Sequence, residues 1–338
     1  MTRSMRSSAL ALAAAAVLLV AGCASTPSDS DGGAAAPGGD TFPVTIEHAL
    51  GTTEIPAQPE RVVTWGWGSA DAAIALGVVP VAIPFQSYGG DDSGVLPWIR
   101  DALEEQGEEI PTVLPDSTEE PPYEEIAEAD PDVILAVYSG ITAEEYELLS
   151  AIAPVVAYPG EAWSTPWKDV VTLTGTALGK SAEATEVLAG IDGQLEEQAA
   201  AHPEWAGKSL AAVWDIAGTF YVYKQADPRV EFMLELGFEN APSVDELATG
   251  DETFYYTLSY EQLDKLDSDL IVSYSDTQAE ADAFVASAHG STIPAVKAGT
   301  VATVVGTEFI ASVSPPTALS LTWGLDDLIA SLEKAVGK

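Results

Sequence analysis

Tyr123-Glu124-Glu125-Ile126, followed by Asp130, Asp132 and Ile134, returns as Tyr260-Glu261-Gln262-Leu263, followed by Asp267, Asp269 and Ile271, at a constant shift of 137 residues. Five positions are identical in register, and each copy leads from a helical pattern into an apolar run, Val133 to Tyr138 and Leu270 to Tyr274. One supersecondary unit used twice predicts two lobes of similar build. Further apolar, β-rich runs lie around the two copies at Val62 to Trp65, Val78 to Ile83, Val155 to Tyr158, Leu210 to Ile216 and Val301 to Val305. They are continuous rather than alternating, as expected of parallel strands covered on both faces. Between them, segments such as Ala143 to Ile152 place Tyr146, Leu149 and Ile152 on one helical face. The fold class is therefore α/β, with mostly parallel central sheets in two similar lobes.

Between the two copies, Ser181 to Ala201 has no proline and is rich in Ala, Glu, Leu and Gln. It predicts one helix about 30 Å long, enough to bridge the lobes, with Ser181 as its N-cap and Glu183 favoured by the helix dipole. The chain divides on this basis into residues 1–22, 23–42, a first lobe 43–178, a bridging helix 179–202 and a second lobe 203–338.

The 338 residues carry 13 basic and 53 acidic side chains, a formal charge of −40. A surface of that sign repels a phosphate backbone, so no nucleic-acid partner is expected. One cysteine excludes an internal disulfide and any Cys-cluster metal site, and His48, His202 and His289 are too scattered for a metal triad; no metal site and no cofactor are expected. Gly175 to Ser181 resembles a phosphate loop but has one residue too few between its glycines, so Gly179 ends one helix and Ser181 begins the next. There is no Gly-x-Ser-x-Gly elbow and no His-Glu-x-x-His, and acid pairs such as Glu104-Glu105, Glu108-Glu109 and Glu119-Glu120 follow from composition. The chain is not expected to be an enzyme; an extracellular hydrolase using paired carboxylates is the weaker alternative.

At the N-terminus, Arg3 and Arg6 precede the apolar run Ala9 to Val20, too short for a bilayer span of about 20 residues, followed by small residues. This is the pattern of a secretion signal over residues 1–22. Val20-Ala21-Gly22-Cys23 resembles the lipobox of bacterial lipoproteins, which implies lipidation at Cys23 and a site of action on the outer face of the membrane. Residues 24 to 40 hold only small, polar and Pro residues and read as a flexible tether.

Aromatic side chains fall where strands end, and in open α/β sheets that is where ligands bind. In the first lobe these are Trp65, Trp67, Phe85, Tyr88, Tyr138 and Trp163. In the second they are Trp214, Tyr221, Tyr256 and Phe309, with Tyr223 and Tyr255 also in or beside strands. Gly66 and Gly68 beside the first tryptophans leave room for a bulky ligand near the backbone.

Pro59-Glu60-Arg61-Val62-Val63, then Ala75-Leu76-Gly77-Val78 and Pro80, the Glu124 to Asp132 segment, Ile152-Ala153-Pro154, Glu235-Leu236-Gly237-Phe238, Ser259-Tyr260-Glu261 and Ala295-Val296-Lys297-Ala298-Gly299 occur in that order. Together they resemble the solute-binding lipoproteins that serve ABC importers of iron–siderophores, haem and cobalamin. Ser314-Pro315-Pro316-Thr317-Ala318-Leu319-Ser320 resembles the iron–siderophore branch, and the likeness runs from about Thr45 to the C-terminus. It implies a monomer of two α/β lobes on a rigid helix, a ferric siderophore held between them, and a permease dimer with its ATPase as partner. It also implies that Glu124 and Glu261 dock onto that permease, with Glu125 a possible substitute for Glu124. Haem or cobalamin is the alternative ligand within the same class. Beyond the signal the chain has only Arg61, Arg100 and Arg229. Arg61 belongs to the structural Pro-Glu-Arg-Val-Val start, which leaves Arg229 to reach a chelate oxygen; a neutral or cationic hydroxamate complex fits such a cleft better than a trianionic catecholate.

Overall fold

The computed structural model describes residues 40–117 and 120–337. The signal segment, Cys23, most of the tether and Glu119 lie outside the described residues. The strands are β1 (Val44–His48), β2 (Gly51–Ile55), β3 (Val62–Thr64), β4 (Ala82–Ile83), β5 (Thr112–Val113), β6 (Val133–Ala136), β7 (Val155–Ala157), β8 (Ser209–Ile216), β9 (Thr219–Tyr223), β10 (Glu239–Asn240), β11 (Tyr255–Thr257), β12 (Leu270–Ser275) and β13 (Val301–Val305). β1 and β2 form a separate antiparallel hairpin. The first lobe holds a fully parallel sheet ordered β5-β4-β3-β6-β7. The second is mixed, ordered β11-β9-β8-β12-β13, with β10 beside the start of β8. β12 runs parallel to β8 and β13, while β9 and β11 are antiparallel.

The repeat occupies matching places in both sheets, since β6 lies next to β3 and β12 next to β8, the first strands of their sheets in chain order. Its aspartates have matching work. The Asp132 carboxylate accepts the N–H groups of Glu60 (2.7 Å) and Arg61 (3.1 Å) ahead of β3, and Asp269 accepts the Ser209 N–H (2.8 Å) at the start of β8. Each ties the start of one strand to its neighbour and satisfies amides that the ladder leaves unpaired.

Alternate residues of these strands feed different layers, which is why the runs are continuously apolar. Val133, Leu135 and Val137 enter the same core as Leu210, Ala212, Leu270, Val272 and Val304 of the second lobe, while Ile134 and Ala136 pack outward. The helix Ser181–Ala201 contributes Ala184, Ile191 and Leu195 to that shared core, alongside Trp167, Val170 and Val171 of the helix Trp167–Leu178. At the close approach of these two helices a Cβ on Gly175 would lie 2.6 Å from that of Ala184. Lys168 adds a clasp, reaching Asp192 (2.8 Å) on the bridging helix and Glu235 (3.0 Å) in the second lobe. The lobes thus close on one continuous core, the condition for little hinge motion.

Three expectations are corrected. The serine at 181 does not cap the bridging helix with its side chain; Asp40 does, accepting the Ser181 N–H at 3.1 Å. That same contact, with Phe42 against Gly179, anchors residues 40–42 to the folded body, so the tether ends before Asp40 rather than at 42. The C-terminal segment does not belong to the second lobe alone. Trp67 Nε1 donates to Pro315 O (3.1 Å), Trp323 Nε1 donates to Asp101 (3.0 Å), and Thr317 donates to the buried Asp71, which Trp98 also serves. Desolvation raises the Asp71 pKa, with these two donors working in the opposite direction.

Candidate functional site

The first wall of the cleft is built where β3 and β6 end. Trp67 N–H donates to Tyr138 O (2.9 Å), and a Cβ at Gly66 (φ 86°) would stand 2.3 Å from that oxygen, so glycine alone lets the strand ends meet between two tryptophans. Gly94 makes room for the ring of Phe85, and Gly140 for the indole of Trp163, whose Nε1 would be 2.0 Å from an added Cβ. Trp163 itself takes a left-handed backbone (φ 57°) and remains 49% exposed. A cavity of about 530 Å³ results, lined by Trp65, Trp67, Phe85, Tyr88 and Trp163 with Asp116, Glu120 and Glu145 among them.

The second wall rests on the β8–β9 hairpin. Its turn, Ala217-Gly218, has both residues at positive φ (51° and 79°), the type I′ geometry that matches strand twist. Trp214 is thereby set opposite Tyr221, and Tyr223 opposite Tyr255 of β11. The Arg229 guanidinium lies 3.7 Å from the Tyr223 ring centroid and donates through Nε to Asp227 Oδ1 (2.7 Å), with side chains 11% and 2% exposed. Burial acts against that charge, yet Asp227 and the surrounding tyrosines outweigh it and hold the Arg229 pKa up. Trp214, Tyr221, Tyr223, Tyr255 and Arg229 line a cavity of about 370 Å³. Tyr88 belongs to both cavities and spans the cleft, its hydroxyl donating to Asp276 Oδ1 at 2.8 Å.

The structure thus brings Trp65, Trp67, Phe85, Tyr88 and Trp163 together on one wall, and Trp214, Tyr221 and Arg229 on the other. Tyr138 lies at the seam, 5.9 Å from Trp163, with burial and then the charge of Asp227 raising its pKa to about 12. Tyr256 is corrected: it is 1% exposed and packs into the outer core of the second lobe, because adjacent strand residues face opposite ways, and Tyr255 takes the cleft side. Phe309 is half-buried against the shared core, and its neighbours Ile310 and Ser314 line the second cavity. Tyr223 and Tyr255, in or beside strands by their sequence pattern, line the second cavity; Gln86, Phe254 and Ile310 had no signal in the sequence. Glu124 and Glu261 are exposed at the starts of the short helices Tyr123–Glu128 and Tyr260–Lys265, and Glu125 is exposed beside the first. Arg61 serves the backbone, donating to the carbonyls of Ala129 and Asp130, and Arg100 pairs with Asp91. Among the described residues no group of three or more His, Cys, Asp or Glu could hold a metal ion, and no helix is long and apolar enough to cross a membrane.

Two lobes that share one core and face each other across an aromatic cleft define a solute-binding protein of the rigid, helix-bridged type. Residues 62–305 match the Periplasmic binding protein family, and the chain belongs to it. It is 28% identical to the "Probable siderophore-binding lipoprotein YfiY" of Bacillus subtilis (strain 168) over 264 residues, 77% of this chain and 76% of that one. Among solved structures, PiaA of Streptococcus pneumoniae TIGR4 in complex with ferrichrome is 34% identical, with a TM-score of 0.78 over 87% of this chain and 98% of PiaA. Staphylococcus aureus SirA complexed with staphyloferrin B is 26% identical, with a TM-score of 0.68 over 86% of this chain and 98% of SirA.

Proposed function

We propose that this chain is the extracytoplasmic receptor of an iron-importing ABC transporter, anchored through a lipid on Cys23, which captures a ferric siderophore of the hydroxamate class as a monomer. The observation that carries this is the cleft itself: aromatic on both walls and, among the described lining residues, with Arg229 as its one cationic side chain. The rings of Trp65, Phe85, Trp163, Trp214 and Tyr221 cover the apolar faces of the chelate, and Arg229, already held by Asp227, meets a chelate oxygen. Iron arrives enclosed in the siderophore's oxygens, so the receptor supplies no ligand to the metal and makes or breaks no bond. With Asp116, Glu120 and Glu145 on the first wall, a trianionic catecholate meets net repulsion, whereas a neutral or cationic hydroxamate does not. Glu124 and Glu261, one on each lobe, dock onto the two subunits of the permease. Exposed ion pairs are worth about 0 to 1 kcal/mol each, so they set the register of docking more than its strength.

Tryptophan quenching of the purified chain is the direct test. Ferrichrome or ferrioxamine B is expected to bind with a nanomolar dissociation constant, about −12 kcal/mol. Tighter binding of ferric enterobactin overturns the hydroxamate assignment, and a haem complex with a Soret band and higher affinity overturns the siderophore assignment altogether.

A further inference from the structure

The two exposed glutamates follow matching tyrosines that are held differently. In the second lobe the Tyr260 hydroxyl donates to Asp215 Oδ1 at 2.7 Å, His289 Nε2 stands 2.7 Å from Asp215 Oδ2, and the two rings lie 4.2 Å apart. In the first lobe the hydroxyl of Tyr123 is buried and has no hydrogen-bond partner among the described residues. That lobe pins the other end of its turn, where Arg61 donates to the carbonyls of Ala129 and Asp130. The Tyr260–Lys265 turn is a 3-10 helix in which Leu263 is the one fully buried residue, too short to be rigid by itself. Burial and then the bond to Asp215 raise the Tyr260 pKa to about 12, so its hydroxyl remains a donor at physiological pH.

Asp215 and Trp214 are consecutive on β8, and alternation directs them apart. Trp214 faces the ligand cavity, whereas Asp215 pairs across the hairpin with Phe220, a residue of the outer core that also holds Leu263. We propose that Asp215 is a positioning residue for transport: held by His289, its carboxylate fixes Tyr260 and with it the orientation in which Glu261 meets the permease. One strand thereby carries both the ligand wall and the strut of the docking turn. This rests on the assignment of Glu261 as a docking residue.

The test uses the full chain in a host deleted for it, with uptake of iron-55 delivered on ferrioxamine B or ferrichrome, whichever the purified chain binds more tightly. Tyr260→Phe and Asp215→Ala are expected to lower maximal uptake about five- to tenfold, with the siderophore dissociation constant within about twofold of the parent. Asp215→Asn, which keeps an acceptor oxygen for Tyr260, is expected to restore most of the uptake. Tyr123→Phe, which removes a hydroxyl without a partner among the described residues, is expected to transport as the parent does. Normal uptake in Tyr260→Phe and Asp215→Ala, or an equal loss in Tyr123→Phe, overturns the proposal. Glu261→Lys separates the two levels: if it impairs uptake while Tyr260→Phe does not, only the role of Asp215 falls, and if it transports normally the docking assignment falls and this proposal with it.

Discussion

The first lobe makes its half of the cleft from loops at the ends of a fully parallel sheet, whereas the second extends its sheet with the antiparallel strands β9 and β11. One wall in consequence presents indole and phenyl rings with carboxylates between them; the other presents a row of tyrosines around one buried guanidinium. Two copies of one βαβ plan thus give chemically unlike surfaces, because the plan specifies where strands end but not what is appended there. In the proposed function, a ligand held between them would meet an acidic aromatic face on one side and a hydrogen-bonding face with a fixed cation on the other.

The sharpest way to break this comparison is Arg229→Ala. It leaves Asp227, 2% exposed at its side chain, without its partner, and an unpaired buried charge costs about 3 to 5 kcal/mol. Thermal unfolding is expected to show that loss, and quenching titration a dissociation constant about ten- to a hundredfold weaker, since charge-assisted bonds of the kind lost are worth about 1.5–3 kcal/mol. A folded Arg229→Ala variant that binds ferrichrome and ferrioxamine B like the parent would falsify the assignment of the cation to the ligand. Next come the aromatic walls. Trp214→Ala is expected to weaken binding by about 2 kcal/mol, roughly thirtyfold. Gly140→Ala, which displaces the half-exposed Trp163 without touching the second wall, is expected to weaken it by roughly fivefold, about 1 kcal/mol, by the same titration. If Gly140→Ala is silent, the first cavity contributes nothing to binding. The smallest effect is expected from Tyr88→Phe, which removes only the bond across the cleft to Asp276. A change of about 0.5 kcal/mol, read as ligand off-rate by stopped flow, is the expected outcome. A larger one makes Tyr88 a gate rather than a shared wall.

Much of the scaffold was legible before any coordinates. The Tyr-Glu repeat located β6 and β12, the proline-free Ser181–Ala201 stretch is the bridging helix residue for residue, and Gly179 ends the helix before it with φ 68°. What escaped depends on which face of a strand looks inward. Tyr255 and Tyr256 are identical in composition and adjacent in sequence, yet one lines the cleft and the other is sealed beneath it. The β9 strand was hidden because its turn is Ala-Gly rather than the Asn-Gly that announces a type I′ hairpin. Asp71 is likewise one acid among 53 in the sequence, and only its neighbours Trp98 and Thr317 mark it as the buried bolt between the lobes.

Periodicity, glycine placement and an internal repeat are local properties, so the sequence alone determined that there are two α/β halves, where their strands end, and that aromatic side chains gather there. The pairing of Asp215 with Tyr260 and His289, the seating of Arg229 over Tyr223, and the return of Pro315 and Thr317 to the first lobe were decided only in three dimensions. Each joins groups that the local pattern does not associate, and each depends on burial, which strengthens a polar contact by excluding the water that would otherwise compete for it.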